Sequence, residues 1–195
     1  MSKQSWKPGN MLYPVPAVMI SCRDNEGNDN VFTVAWAGTI CSDPAMLSIS
    51  VRKERYSYNM IKESGVFVVN LTTDKLVRAT DYCGVRSGRD ENKFESAHLT
   101  KGEAEVVNAP IIMESPVNIE CRVKQVIELG SHDMFIAEVV NVLISEEYMD
   151  EKGAFHLEDT GLVAYSHGVY YELGRKLGSF GYSVKKPAAT KVRNA

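Results

Sequence analysis

Two long runs of alternating, β-compatible residues dominate the second half of the chain. They are Val117 to Leu129 and Met134 to Ile144, separated only by Gly130-Ser131-His132-Asp133. So short a Gly-containing gap turns a chain straight back, and the two runs predict one long antiparallel hairpin. Such a hairpin leaves two exposed edges, which other strands must cover.

The first half supplies those strands. Ala17 to Cys22 is apolar, and Asp24 to Asn30 (DNEGNDN) is a turn of residues that tolerate positive φ, so Phe32 to Ile40 reads as the returning strand. After Asp43-Pro44, Met46 to Arg52 alternates as a half-buried strand does. Tyr56 to Ser64 has helical spacing at Tyr56, Met60 and Ile61, Gly65 ends it, and Gly65 to Leu71 is the next strand. Thr73 to Tyr82 predicts a second short helix, and the polar loop after it holds a helical turn. The aromatic, Gly-rich segment from Gly153 to Val184 wraps the outside. This order lacks the regular βαβα alternation of a doubly wound sheet. It predicts a mainly β fold with short helices: antiparallel, Greek-key-like strands in a closed or half-closed barrel, since closure hides edges. No repeat and no linker divides the chain, so residues 1–186 read as a single domain and 187–195 as a mobile tail.

Composition excludes several functions. A net charge of -3 argues against a general nucleic-acid binder. No run approaches the ~18 apolar residues of a membrane span, and the N-terminus has no signal-peptide pattern. Cys22, Cys41, Cys83 and Cys121 are widely spaced and form no CxxC pair, which predicts reduced thiols in a cytoplasmic protein. His98, His132, His156 and His167 form no metal-ligand spacing, so no metal site is expected. GxGxxG, Walker A and GxSxG are all absent, so a nucleotide-like ligand would need another device.

Four segments carry candidate chemistry, and each has an ordinary alternative. Arg52, Lys53 and Arg55 cluster at a strand-to-helix joint beside Ser57. There, unpaired helix amides and bidentate guanidinium groups suit a phosphate; alternatively the cations are solvated and Ser57 is a plain N-cap. Thr33, Ala35 and Ala37 share a strand face beside Gly38, leaving room for a flat ligand against the backbone; alternatively they pack on a helix and Trp36 is core. His132 sits at the hairpin tip and Lys93 in a polar loop, and each alone is unremarkable.

Together these segments carry more. NVFTVAWAG, PAMLSISVRKERYS, the Ser87-Gly88 and Lys93-Phe94-Glu95 pieces, GSHDMFIAEV and the ending YYELGRKLGSFGYSVKK follow one another in order. In that order they resemble the flavin reductase-like family with the FMN-binding split barrel, in particular its flavoredoxin branch. The resemblance runs from Pro14 to Lys186. It implies a homodimer with one FMN per subunit. Asn30 and Trp36 would lie by the flavin. Thr33, Val34, Ala35 and Ala37, with Ser50 and Val51, would line its pocket. Arg52, Arg55, Tyr56 and Ser57 would hold the ribityl phosphate, and Tyr165 would stand near the ring. Lys93 and His132 would cover the exposed ring face as catalytic groups. Relatives often carry Asp where this chain has Ser131, so Asp133 is the expected substitute partner for His132. The implied activity is electron transfer from NAD(P)H to flavin or another acceptor. The alternatives are an FMN electron carrier reduced by a protein partner and a binding module without turnover.

Overall fold

The structure is a computed structural model that describes residues 1–185. The tail expected over residues 187–195 lies outside them. In chain order the strands are β1 (Val15–Pro16), β2 (Val18–Arg23), β3 (Asp29–Val34), β4 (Ala37–Ser42), β5 (Ala45–Val51) and β6 (Val66–Leu71). They continue with β7 (Lys101–Glu103), β8 (Pro110–Ile112), β9 (Val117–Glu128), β10 (Asp133–Ile144), β11 (Val163–Ser166) and β12 (Val169–Glu172). The helices are α1 (Tyr56–Ser64), α2 (Val77–Val85) and α3 (Lys93–Ser96).

The long hairpin is β9–β10, paired antiparallel from Asp133 opposite Glu128 to Ile144 opposite Val117. It lies inside a seven-stranded antiparallel sheet of order β3-β2-β6-β9-β10-β5-β4. The two edge strands, β3 and β4, are consecutive in sequence and joined only by Ala35 and Trp36. A sheet whose opposite edges are two residues apart must curl until those edges meet. The fold is therefore mainly β, curled and split at the β3–β4 seam. The alternation from Phe32 to Ile40 predicts one strand, and here the structure differs. β3 pairs with β2 and β4 with β5, so the chain changes partners at Ala35–Trp36 and the strand must break. The Trp36 carbonyl accepts the Ser50 amide at 2.8 Å and anchors the break to β5.

Strand parity explains the core. Val18, Ile20, Phe32, Ile49, Phe67 and Phe135 meet inside the curl, and α1 closes it with Tyr58, Met60 and Ile61. Burying each large apolar side chain stabilises the fold by roughly 1.5–3 kcal/mol. Helix α1 ends where Gly65 takes φ 69 and returns its amide to the Ile61 carbonyl. The opposite face of β2–β3 offers Met19 and Val31 to a second cluster with Leu76, Cys83, Phe94 and Ile112, which seats α2 and α3 beside β3. Near the C-terminus, β11 pairs with β1 and β12 in a separate three-stranded sheet. Among the described residues, no helix is long and apolar enough to cross a membrane.

Candidate functional site

Two adjoining cavities open where the seam, the β5–α1 joint and α2 converge. The first, about 540 Å³, is lined by Thr33, Val34, Ala35 and Trp36 at the seam and by Ser50, Val51 and Arg52 at the end of β5. Asp81, Gly84 and Val85 of α2 face them, with His132, Tyr165 and Tyr170 around the mouth. The second, about 410 Å³, is lined by Asn30, Arg52, Arg55, Tyr56, Ser57 and Lys93, together with Arg86, Ser87, Gly88 and Arg89. Phe32, Arg52 and Arg55 belong to both, so the cavities connect. Of the expected site residues only Ala37 lies outside, in an adjoining groove with Trp36, Ser50 and His132.

The first cavity is a slot. Ordinary strands bury their amides in ladders, but at Ala35–Trp36 the chain leaves its strand and brings backbone to the cavity wall. Thr33 packs on α2: its hydroxyl donates to the Thr80 carbonyl, and a Cβ at Gly84 would stand 3.3 Å from the Thr33 Cβ. Its contribution to the slot is shape and backbone, because its hydroxyl is engaged. Trp36 is half-buried rather than core, with its ring 6.2 Å from Tyr13. Tyr165 stands 5.4 Å from Tyr170, whose hydroxyl donates to Asp81 at 3.3 Å. Burial, then the Asp81 charge, pushes the Tyr170 phenol up to about 12.

The second cavity is cationic. Four arginines and Lys93 line it against one carboxylate, Glu54, so its field favours a dianion. Arg55 is the N-cap residue of α1 with extended backbone at φ -67, ψ 138, and its side chain makes no capping bond. Its guanidinium instead donates to the Gly84 carbonyl at 3.0 Å and stays beside both cavities. Arg89 lies 5.6 Å from the Tyr56 ring centre and donates to the Glu54 carbonyl at 3.1 Å. Ser57 is not the N-cap, because the helix begins one residue earlier. Its hydroxyl, fully buried, accepts from the Asn30 amide at 2.6 Å. Gly88 closes over this pair: a Cβ there would meet Asn30 Oδ1 at 2.3 Å and the Tyr56 ring at 2.8 Å.

Lys53 is the member of the cation cluster that turns away. It reaches Glu128 at 3.0 Å and Asp133 at 3.5 Å beside the hairpin turn, leaving Arg52 and Arg55 for the cavities.

Lys93 and His132, expected side by side over one ring face, occupy different cavities. Lys93 is 3% exposed, and its ammonium donates to the Cys83 and Arg86 carbonyls at 3.2 and 3.3 Å, at the C-terminal end of α2. Burial pushes this amine down to about 8. His132 rises from the hairpin tip into the first cavity. Burial, then the charge of Arg52, lowers its imidazole below the ordinary value. Its partner is Ser131, whose hydroxyl oxygen lies 2.9 Å from Nδ1. Asp133, the expected substitute, points the other way into the core and accepts from the Tyr58 hydroxyl at 2.5 Å.

Helix α2 and the Arg86–Arg89 loop complete the site, and sequence reasoning passes over both. One signal was available. Asp81, Gly84 and Val85 stand at i, i+3 and i+4, the spacing of one helix face, and two arginines flank the Ser87-Gly88 motif.

A family model for a flavin reductase like domain matches residues 10–174. The solved flavoredoxin of Desulfovibrio vulgaris (Miyazaki F) has a TM-score of 0.87 to this chain at 32% identity, covering 94% of this chain and 100% of that one. An uncharacterized protein of Archaeoglobus fulgidus is 34% identical over 141 residues, 72% of this chain and 78% of its own. An FMN reductase (NADH) of Pseudomonas syringae pv. syringae is 25% identical over 126 residues, 65% of this chain and 68% of its own.

Proposed function

Because the chain belongs to the flavin reductase-like family, we propose that it holds one FMN across the connected cavities and carries electrons from NAD(P)H to flavin or another acceptor. The observation that carries this reading is the junction at Phe32, Arg52 and Arg55, where an aromatic-walled slot opens into a cationic cavity. FMN has matching ends: a flat ring system and a phosphate dianion. The donor set fits it. Arg52, Arg55, Arg86 and Arg89 neutralise the phosphate, and Asn30, Tyr56 and Ser57 fix the wall beneath it. The seam backbone, Trp36 and Tyr165 would hold the ring in the slot.

When bound, FMN supplies the hydride-accepting ring that no side chain provides. The chain supplies the surroundings. His132, neutral near pH 7 because its imidazole is lowered, can hold or move a proton at its ring nitrogen. Lys93 acts from the buried wall of the cationic cavity, as a positive charge that favours anionic forms of the ligand. The likeness to the Pseudomonas FMN reductase (NADH) supports a nicotinamide donor.

A second reading is an electron carrier reduced by a redox protein, favoured by the higher likeness to flavoredoxin at 32% identity. A homodimer belongs to both readings. It is supported by large apolar side chains left in water, Ile40 of β4 and Val142 of β10 at 49% and 47% exposure and Leu129 beside the β9–β10 turn at 57%. A cytoplasmic location is supported by four unpaired cysteines.

The test is the visible spectrum of the purified protein, followed by anaerobic bleaching with NADH, NADPH or a reduced redox protein. A yellow protein bleached rapidly by a nicotinamide supports the reductase; rapid bleaching only by the protein donor supports the carrier. A colourless protein that takes up no added FMN overturns both.

A further inference from the structure

Behind the site lies a buried carboxylate with no part in the readings above. Asp133 is the first residue of β10, and its side chain is 1% exposed. One oxygen accepts from the Tyr58 hydroxyl at 2.5 Å. The other has no hydrogen-bond donor; the nearest cation is the Lys53 ammonium at 3.5 Å. A buried carboxyl group so sparsely satisfied costs stability, which a plain core position would avoid.

Its links have a common pattern. Tyr58 directly follows Ser57, Lys53 directly follows Arg52, and Asp133 directly follows His132. Asp133 also pairs in register with Val51, the last residue of β5 and part of the slot wall. Every group that Asp133 holds is thus the chain neighbour of a cavity-lining residue. Lys53 also reaches Glu128, the cross-strand partner of Asp133, and so ties the turn end of the hairpin to the β5–α1 joint.

We propose that Asp133 is a positioning residue that locks helix α1, the cationic joint and the His132 hairpin tip into one geometry. It acts through Tyr58 and Lys53 and touches no ligand. Lys62 belongs to the same hub, with its ammonium 3.4 Å from the Tyr58 hydroxyl. With Lys53 it is the second cation facing the carboxylate–phenol pair, and Glu128 is the second anion. The inference rests on the flavin reading, because its readout is the placement of both ends of that ligand.

The test uses Asp133→Asn, Tyr58→Phe and the double variant. FMN affinity is read by fluorescence quenching and reduction rate by anaerobic stopped flow. The expected result is FMN binding weakened by about tenfold in each single variant, the order of one charge-assisted hydrogen bond. Reduction at saturating FMN slows in parallel, and the double variant is no worse than Asp133→Asn, because both cut one link. Tyr58→Phe keeps the ring in its core place and decides the matter if Asp133→Asn does not fold. FMN affinity and reduction rate within twofold of wild type in Tyr58→Phe, whatever its thermal stability, overturn the inference. Failure of the wild-type protein to bind FMN refutes the flavin reading instead, before any variant is made.

Discussion

Replacing Arg55 by Ala separates a phosphate seat from a solvated cation cluster. Arg55 faces both cavities and is held there by a 3.0 Å bond to the Gly84 carbonyl. Its side chain does not cap α1, so truncation leaves the helix start intact. What is lost is one guanidinium contact to a dianion and the tie to α2. A charge-assisted hydrogen bond contributes about 1.5–3 kcal/mol, which is roughly 10- to 150-fold in Kd. Arg52, Arg86 and Arg89 remain in the cavity, so the lower half of that range is expected. FMN binding to Arg55→Ala, titrated by fluorescence quenching at several salt concentrations, should be about 10- to 50-fold weaker, with a shallower salt dependence because one phosphate-facing cation is gone. Wild-type affinity with an unchanged salt slope would refute the reasoning and return the cluster to solvent.

His132→Ala should spare FMN binding and slow flavin reduction by at least about tenfold; the wild-type rate should fall only as pH drops below the ordinary imidazole value of 6.5, because burial, then Arg52, lowers this group. Unchanged stopped-flow rates would remove His132 from the chemistry. Gly88→Ala drives a Cβ into Asn30 Oδ1 and Tyr56; it should destabilise the fold by about 1–3 kcal/mol in denaturant unfolding and weaken FMN binding. The ligand-free protein should lose stability above pH 9. Burial pushes the thiols of Cys22 and Cys121 up to about 12 and that of Cys83 to about 11, against an ordinary value of 9.0. Below 9.0 their contribution is fully present. Above it the unfolded chain releases protons that the fold retains, so each thiol removes about 1.4 kcal/mol per pH unit until its folded value is reached. Lys93, lowered from 10.5 to about 8, has the opposite sign and adds stability between those values. One amine against three thiols places the maximum near pH 9, and denaturant midpoints rising steadily to pH 10.5 would contradict it.

The parts of the fold legible in the sequence were those governed by local rules. Helix α1 was readable from Tyr56 to Ser64 because its spacing ends at a Gly that adopts φ 69. The β9–β10 hairpin was readable because its turn and alternation agree. The seam was not. Phe32 to Ile40 alternates without interruption, and only the strand order shows that β3 and β4 belong to opposite edges of one sheet. The site follows the same division. Apart from Ala37 and the seam residues, the expected cavity-lining residues come together because each lies on a readable element or motif. The fate of individual polar groups depends on partners far away in the chain. Lys93 is captured by carbonyls of α2, Asp133 by Tyr58 across the core, and Lys53 by Glu128. No local pattern marks any of these three.

The central claim is that a ring slot and a phosphate seat form one site. Its most direct test compares FMN with riboflavin, which carries the same ring without the phosphate. At low salt the account predicts saturable binding of one FMN per chain. Riboflavin should bind at least about 100-fold more weakly, a gap that narrows as salt screens the half-exposed arginines. Equal affinities for FMN and riboflavin would show that the cationic cavity holds no phosphate, and would contradict the account.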